Sequence, residues 1–176
     1  TGRPVLVGTR SVTASEAIAE AIARLGLACR VLNAEREKQE AEIIAEAGRV
    51  GAITVATNMA GRGTDIKLDD QARSLGGLAV IATERHRERR VDRQLFGRSG
   101  RQGDPGTAEM HVCFDDDLIR SLGLKPLVAL ARRFNLVAPL LWKQAQHAGS
   151  VRARAMRNSS VQQESWLEMS MHSRSR

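Results

Sequence analysis

Tyrosine is absent from this 176-residue chain, and aromatic side chains make up only 3% of it. A core without large rings has to be filled by Val, Ile, Leu and Ala, the residues that populate buried parallel strands. Only two cysteines occur, Cys29 and Cys113, and neither has a second Cys or a His at metal-ligand spacing. Both lie in short apolar stretches, so we expect buried thiols in a reducing compartment and no metal site built by this chain alone. No apolar run approaches the roughly 20 residues that span a bilayer, and no basic-then-apolar leader opens the chain. A phosphate-cradling Gly-x-x-x-x-Gly-Lys-Ser/Thr loop is missing, as is an Asp-Glu-Ala-Asp strand end to hold Mg2+. The first residue is Thr1 rather than Met, and we expect a segment cut from a longer protein or an incomplete gene product.

What is present is an ordinary globular balance, 42% hydrophobic and 27% charged, long enough for one domain with an appendage. The net charge of +7 fits nucleic acid, an acidic membrane surface, an acidic partner, or a basic face covered by an acidic domain. Short apolar runs at 4–8, 28–32, 52–56, 78–82 and 108–114 read as strands. Between them, Ala17, Ile18, Ala21, Ile22 and Leu25 recur at helical spacing behind a cap at Thr13 or Ser15. Two more helices are expected over 36–47 and 88–96. Alternation of strand and helix with short connections implies a parallel sheet covered by helices, with ligands at the carboxyl ends of the strands. Beyond about residue 115 the pattern turns helical. Asp115, Asp116 and Asp117 suit a helix start, and Pro139 is expected to break or kink the helices of 125–147. The Arg- and Ser-rich stretch 150–176 is expected to hold one more helix near Val161 to Met169 and then fray.

Two stretches carry chemistry. Thr57-Asn58-Met59-Ala60-Gly61-Arg62-Gly63-Thr64-Asp65-Ile66 follows the third strand directly. Its glycines permit tight turning and close approach to a ligand, and Asp65 can accept hydrogen bonds from ribose hydroxyls. The plainer alternative is a Gly-rich surface loop with a solvated carboxylate. The second stretch runs from Gln94 through Phe96-Gly97-Arg98-Ser99-Gly100-Arg101-Gln102-Gly103 to Asp104-Pro105-Gly106. Arg98 and Arg101 are three apart, so on a helical turn they project from one face. A guanidinium keeps its charge and grips phosphate oxygens in a fork. Two of them would neutralise charge developing in phosphoryl transfer. A solvated basic turn is the alternative, and it leaves the flanking glycines unexplained.

These stretches resemble motifs V and VI of superfamily 2 helicases. The longer runs T-N-M-A-G-R-G-T-D-I and G-G-L-A-V-I-A-T-E-R-H-R-E-R-R-V-D-R-Q-L-F-G-R-S-G-R-Q-G-D-P-G are similar to the SecA preprotein translocase ATPase family. So are the opening V-L-V-G-T-R-S-V-T-A-S-E and the later V-L-N-A-E. The likeness covers roughly residues 1–120. It implies a RecA-like second motor lobe over 1–120 and a helical C-terminal extension over 121–176. It also implies that Arg98 and Arg101 reach the nucleotide phosphates, with Arg101 the finger. By the same resemblance Gln94 couples the cleft to the phosphates, Gly63 and Asp65 line the nucleotide, and Arg62 serves an interdomain contact. His86, in Thr83-Glu84-Arg85-His86, is expected to be structural. Family members commonly read E-R-H-E-S-R-R where this chain reads Glu84-Arg85-His86-Arg87-Glu88-Arg89-Arg90, so one acidic residue has become Arg87.

The resemblance implies ATP with Mg2+, the metal held mainly by a first lobe that this sequence does not contain. The expected partners are that lobe, a secretory preprotein and a membrane translocation channel. The basic residues Arg152, Arg154 and Arg157, with Arg132 and Arg133 earlier, read as a solvated helix face, the alternative being a surface for anionic lipid headgroups. The expected place is the cytoplasm, against the inner face of the cell membrane. Holding only the arginine side of the site, the chain alone should hydrolyse almost nothing. The alternative is the C-terminal lobe of an RNA or DNA helicase, which would bind nucleic acid with steep salt dependence. The run from Thr83 to Gln94 favours the translocase and makes nucleic acid an unexpected partner. A docking remnant without activity is a third class, and intact Arg98, Arg101 and Asp65 speak against it.

Overall fold

Aliphatic runs form five strands in a computed structural model that describes residues 1–32, 37–57, 60 and 64–174, the side chains of 37–39 and 160–174 lying outside that description. The strands are β1 (Val5–Thr9), β2 (Arg30–Leu32), β3 (Ile53–Thr57), β4 (Leu78–Ala82) and β5 (Gly106–Met110). They lie in the order β2-β3-β1-β4-β5, and each neighbouring pair is parallel. Four helices connect them: α1 (Val12–Arg24), α2 (Glu37–Glu46), α3 (Asp70–Ser74) and α4 (Arg89–Phe96). This is the helix-covered parallel sheet expected from the alternating pattern, and it is consistent with the RecA-like fold that the resemblance implies.

The register shows why the strand sequences are apolar on both sides. Leu6 stands beside Thr54 and Val80, and Gly8 beside Ala56 and Ala82, all on one face. That face packs against Ile44 of α2, Ala47 just beyond it and Leu95 of α4 in one buried cluster. On the other face Val7 pairs with Val55, which is fully buried, and α1 is tied down by Thr9 Oγ1 and Ser15 Oγ, 2.6 Å apart. Gly8 is there because α4 needs the room: a Cβ at Gly8 would sit 2.3 Å from Leu95 Cδ2.

Several local expectations shift. The cap of α1 is Ser11, whose Oγ accepts from the Ala14 N–H at 3.1 Å, while Ser15 is buried one turn inside. Between β3 and β4 the structure adds α3 behind its cap Asp69. β5 ends at Met110, so Cys113 lies outside the sheet and is exposed, and Cys29 is partly exposed rather than buried.

Contacts divide the chain into two compact units, residues 1–86 with 90–113 and residues 87–89 with 114–176. The second holds α5 (Asp117–Leu122), α6 (Lys125–Arg133), a 3-10 turn at Asn135–Val137 and α7 (Ala138–Arg174). Its core gathers Leu118, Ile119, Ala131, Leu141, Trp142 and Ala145. Pro139 does not break a helix. The break comes earlier, at Phe134, and Pro139 sits in the first turn of α7, where a missing N–H costs nothing. The helix expected near 161–169 is part of this continuous α7. Among the described residues no helix is long and apolar enough to cross a membrane.

Candidate functional site

The site grows out of one turn. α4 ends at Phe96, and its last carbonyls are taken up by a descending turn: Gly97 N–H to Arg93 O at 2.8 Å, Arg98 N–H to Leu95 O at 3.0 Å, Ser99 N–H to Phe96 O at 3.1 Å. Ser99 Oγ then donates to Leu78 O at 3.1 Å, which fastens the turn to the start of β4. The close fit requires a glycine opposite, since a Cβ at Gly106 would lie 2.1 Å from Ser99 Oγ. Gly100 is left-handed at φ 68°, and a short 3-10 turn at Arg101–Gly103 follows. Asp104 closes that turn and its carboxylate takes Arg73 Nε at 2.8 Å. The Asp104 hydrogen bond, then its charge, pushes Arg73 above its ordinary value, and Asp70 adds to this.

Arg98 and Arg101 are therefore not two positions on one helix face, as their spacing suggested. Arg98 lies just past the end of α4, and Arg101 follows a left-handed glycine. The turn, rather than a helix, brings both side chains to one place. Together with Gln94 they border a cavity of about 120 Å³ whose other walls include Leu32, Thr57 and Ala60. Leu32 and Thr57 end β2 and β3, so the cavity opens at the carboxyl ends of the strands, where such sheets bind ligands.

The two arginines are held differently. Arg98 donates from Nη1 to Thr64 O at 3.1 Å and from Nη2 to Ala60 O at 3.3 Å, clasping the segment after β3. It touches no carboxylate among the described residues. Burial pushes its guanidinium below the usual arginine range and the Arg101 charge pushes it further, while Glu40 and Asp65 pull it partly back. The group stays charged but is short of compensating negative charge, the condition in which an added anion is most welcome. Arg101 donates from Nε to Gly97 O at 2.6 Å and from Nη1 to Asp65 Oδ1 at 3.1 Å. With side-chain exposures of 38% and 35%, that ion pair is open to water, and pairs of this kind contribute about 0–1 kcal/mol.

Asp65 follows β3 and is bonded to Arg101, with both oxygens occupied. The second accepts from Gln102 Nε2 at 2.7 Å. Gln102 was not singled out from the sequence. Its signals were its place between Arg101 and Gly103 and, in the structure, a left-handed backbone with φ 53° and ψ 26°. For a residue with a Cβ that conformation costs about 1–2 kcal/mol. Gln94 is exposed at the cavity edge, with no hydrogen-bond partner among the described residues. Gly63 and Arg62 lie outside the described residues. The backbone N–H of His86 goes to Asp92 Oδ1 at 2.9 Å, and neighbouring Thr83 and Glu84 bond Gly8 O at 3.1 Å and Arg10 Nη1 at 3.0 Å.

Chemically, the site offers two adjacent guanidinium groups, one undercompensated and one loosely paired, at an open edge. It is suited to a multiply charged anion.

The sequence matches the family SecA P-loop domain over residues 1–75 and 69–138. It is 53% identical over 135 residues to protein translocase subunit SecA of Christiangramia forsetii, covering 77% of this chain and 12% of that protein. The SecA subunit of Lachnoclostridium phytofermentans is 53% identical over 135 residues, again 77% of this chain but 16% of the relative. That of Salinibacter ruber is 56% identical over 124 residues, 69% of this chain and 11% of the relative. The chain thus spans between 11% and 16% of the length of these curated relatives. Sharing the motif runs, the RecA-like sheet and more than half of the aligned residues with them, the chain belongs to the SecA family.

Proposed function

We propose that residues 1–120 act as the second nucleotide-binding lobe of a SecA-type motor, with 121–176 as its helical extension. In the whole motor, ATP binds between this lobe and a first one, and hydrolysis drives secretory preproteins through a membrane channel. The observation that carries this reading is the meeting of Arg98, Arg101 and Gln94 at one cavity on the carboxyl side of the sheet, with Asp65 bound to Arg101. The relatives are named protein translocase subunits, which supports the same assignment.

In this reading Arg98 and Arg101 close onto the triphosphate as the lobes approach. Water attacks the γ-phosphorus, the bond to the bridging oxygen of ADP breaks, and the two guanidinium groups neutralise the charge on the phosphoryl oxygens. Arg101, loosely paired, is the finger. Arg98 keeps the segment after β3 in place and offers its remaining N–H groups. Gln94, at the same cavity, couples the cleft to the phosphates, and Gly63 and Asp65 line the nucleotide. Mg2+ would be held mainly by the first lobe, and Asp65 here has both oxygens engaged by Arg101 and Gln102. The partners are the first lobe, the preprotein, the channel and anionic lipid at the cytoplasmic face of the membrane.

The test is Arg101→Ala in the full-length protein. ATP binding should be largely kept and turnover should fall by about 10³-fold. Unchanged turnover removes Arg101 from the mechanism. The 176-residue chain alone should show negligible hydrolysis, and substantial metal-dependent turnover by it would contradict the half-site.

A further inference from the structure

We propose that Asp65 and Gln102 form a latch that holds Arg101 while no triphosphate is bound, with Gln102 the positioning residue of that latch. The inference rests on the phosphate-binding reading of Arg101 and adds its regulation. Three observations meet in it. Arg101 is held at two points, by Gly97 O and by Asp65 Oδ1. Asp65 is itself fixed from the other side by Gln102 Nε2 at 2.7 Å. Gln102 is the non-glycine residue with a positive φ among those described, in a turn whose neighbours Gly100 and Gly103 are also left-handed at φ 68° and 85°. Glycine at position 102 would adopt the same backbone freely. The side-chain amide is what glutamine adds, and in this structure it is spent on Asp65.

The geometry makes the latch selective. Asp65 presents one negative charge, half exposed, to Arg101. A triphosphate presents several, with oxygens spaced for a bidentate grip, so it displaces the carboxylate while a lone monovalent anion does not. Asp65 is thereby released as Arg101 engages, free to turn toward a ribose. Arg98, which touches no carboxylate among the described residues, needs no release.

Tripolyphosphate is the probe, because it has no ribose and a lost ribose contact cannot mask a gain. The 176-residue chain is titrated with it while the arginine Nε–Hε signals are followed by NMR. Asp65→Asn should bind tripolyphosphate about two- to fivefold more tightly, the range an exposed ion pair can supply. Gln102→Gly, which suits the left-handed backbone and removes only the amide, should give a smaller gain in the same direction. Glu20→Gln on α1 removes a charge elsewhere and should leave affinity unchanged. The gain from Asp65→Asn should vanish when combined with Arg101→Ala. Without ligand, rotation about the Arg101 Cζ–Nε bond should quicken in both Asp65→Asn and Gln102→Gly. Unaltered rotation in both variants overturns the latch. If Arg101→Ala alone leaves tripolyphosphate affinity untouched, the phosphate reading fails, and the rotation measurement still decides whether Asp65 and Gln102 restrain that side chain.

Discussion

The two units of this chain close their helix ends in opposite ways. In the sheet unit, α1 and α3 start behind side chains that act locally: Ser11 accepts from the Ala14 N–H and Asp69 from the Ala72 N–H. In the helical unit, neither α5 nor α6 has a side-chain cap bond of this kind. Gln144 of α7 serves both instead, donating Nε2 to Leu122 O at 3.1 Å and accepting the Leu124 N–H at 3.2 Å. Its partners are 22 and 20 residues away in sequence. One unit is built from signals that lie beside the elements they end. The other depends on a single amide that reaches its partners only after the chain has folded back.

The difference extends to the cores, and a pair of substitutions can break it. Leu95 is 8% exposed and seats α4 over Gly8, whereas Leu141 is fully buried among Leu118, Trp142 and Ala145. Either Leu→Ala should cost about 2–5 kcal/mol, measured by denaturant unfolding. Their consequences should differ. Leu95→Ala should shift the Arg98 and Arg101 Nε–Hε signals, because α4 leads directly into the turn that carries them. Leu141→Ala should leave those signals in place and lower amide protection in α5, α6 and α7. Equal disturbance of the arginine signals by both would mean that the site does not belong to the sheet unit alone.

Legibility follows the same division. The strands were readable because a parallel sheet buried on both faces demands continuous apolar runs, and Val5–Thr9, Ile53–Thr57 and Leu78–Ala82 are such runs. β5 was placed too late because it is an edge strand, mostly exposed, and its Thr107 and Glu109 carry no apolar signal. The same misplacement predicted burial for Cys113. Arg98 and Arg101 stood out through their glycines, but their convergence depends on a left-handed turn at Gly100 that spacing alone does not encode. Gln102 could not be found from its neighbours, since its partner Asp65 is 37 residues upstream. The extent of α7 was underestimated because its second half is Arg- and Ser-rich, and the break attributed to Pro139 falls at Phe134, where the chain is extended at φ −130° and ψ 97°.

The mid-sized prediction concerns Gln144. Gln144→Ala removes a part-buried bond to the carbonyl at the end of α5 and an exposed bond from the N–H at the start of α6, and should cost about 1–2 kcal/mol in unfolding free energy. Gln144→Glu keeps the acceptor for Leu124 N–H and loses the donor for Leu122 O, so it should recover part of that cost. No recovery would mean that the donor side alone matters, and the long-range cap would reduce to one bond.

The smallest expected effect lies at the best-read helix. Ser11 is the cap of α1, with extended backbone at φ −137° and ψ 158° and its oxygen on Ala14 N–H. Thr13, an equally good capping residue by composition, is already inside the helix and exposed. Ser11→Ala should therefore cost about 1 kcal/mol, and Ser11→Gly only a few tenths because glycine is tolerated at a helix start. Thr13→Ala should be neutral or slightly stabilising, since alanine is the better helix former. A local signal can name the residue type without naming the residue. If Thr13→Ala proved the costlier change, the frame of α1 would be shifted by two positions, and Ser15, buried against Thr9, would have to leave the sheet face it now ties down.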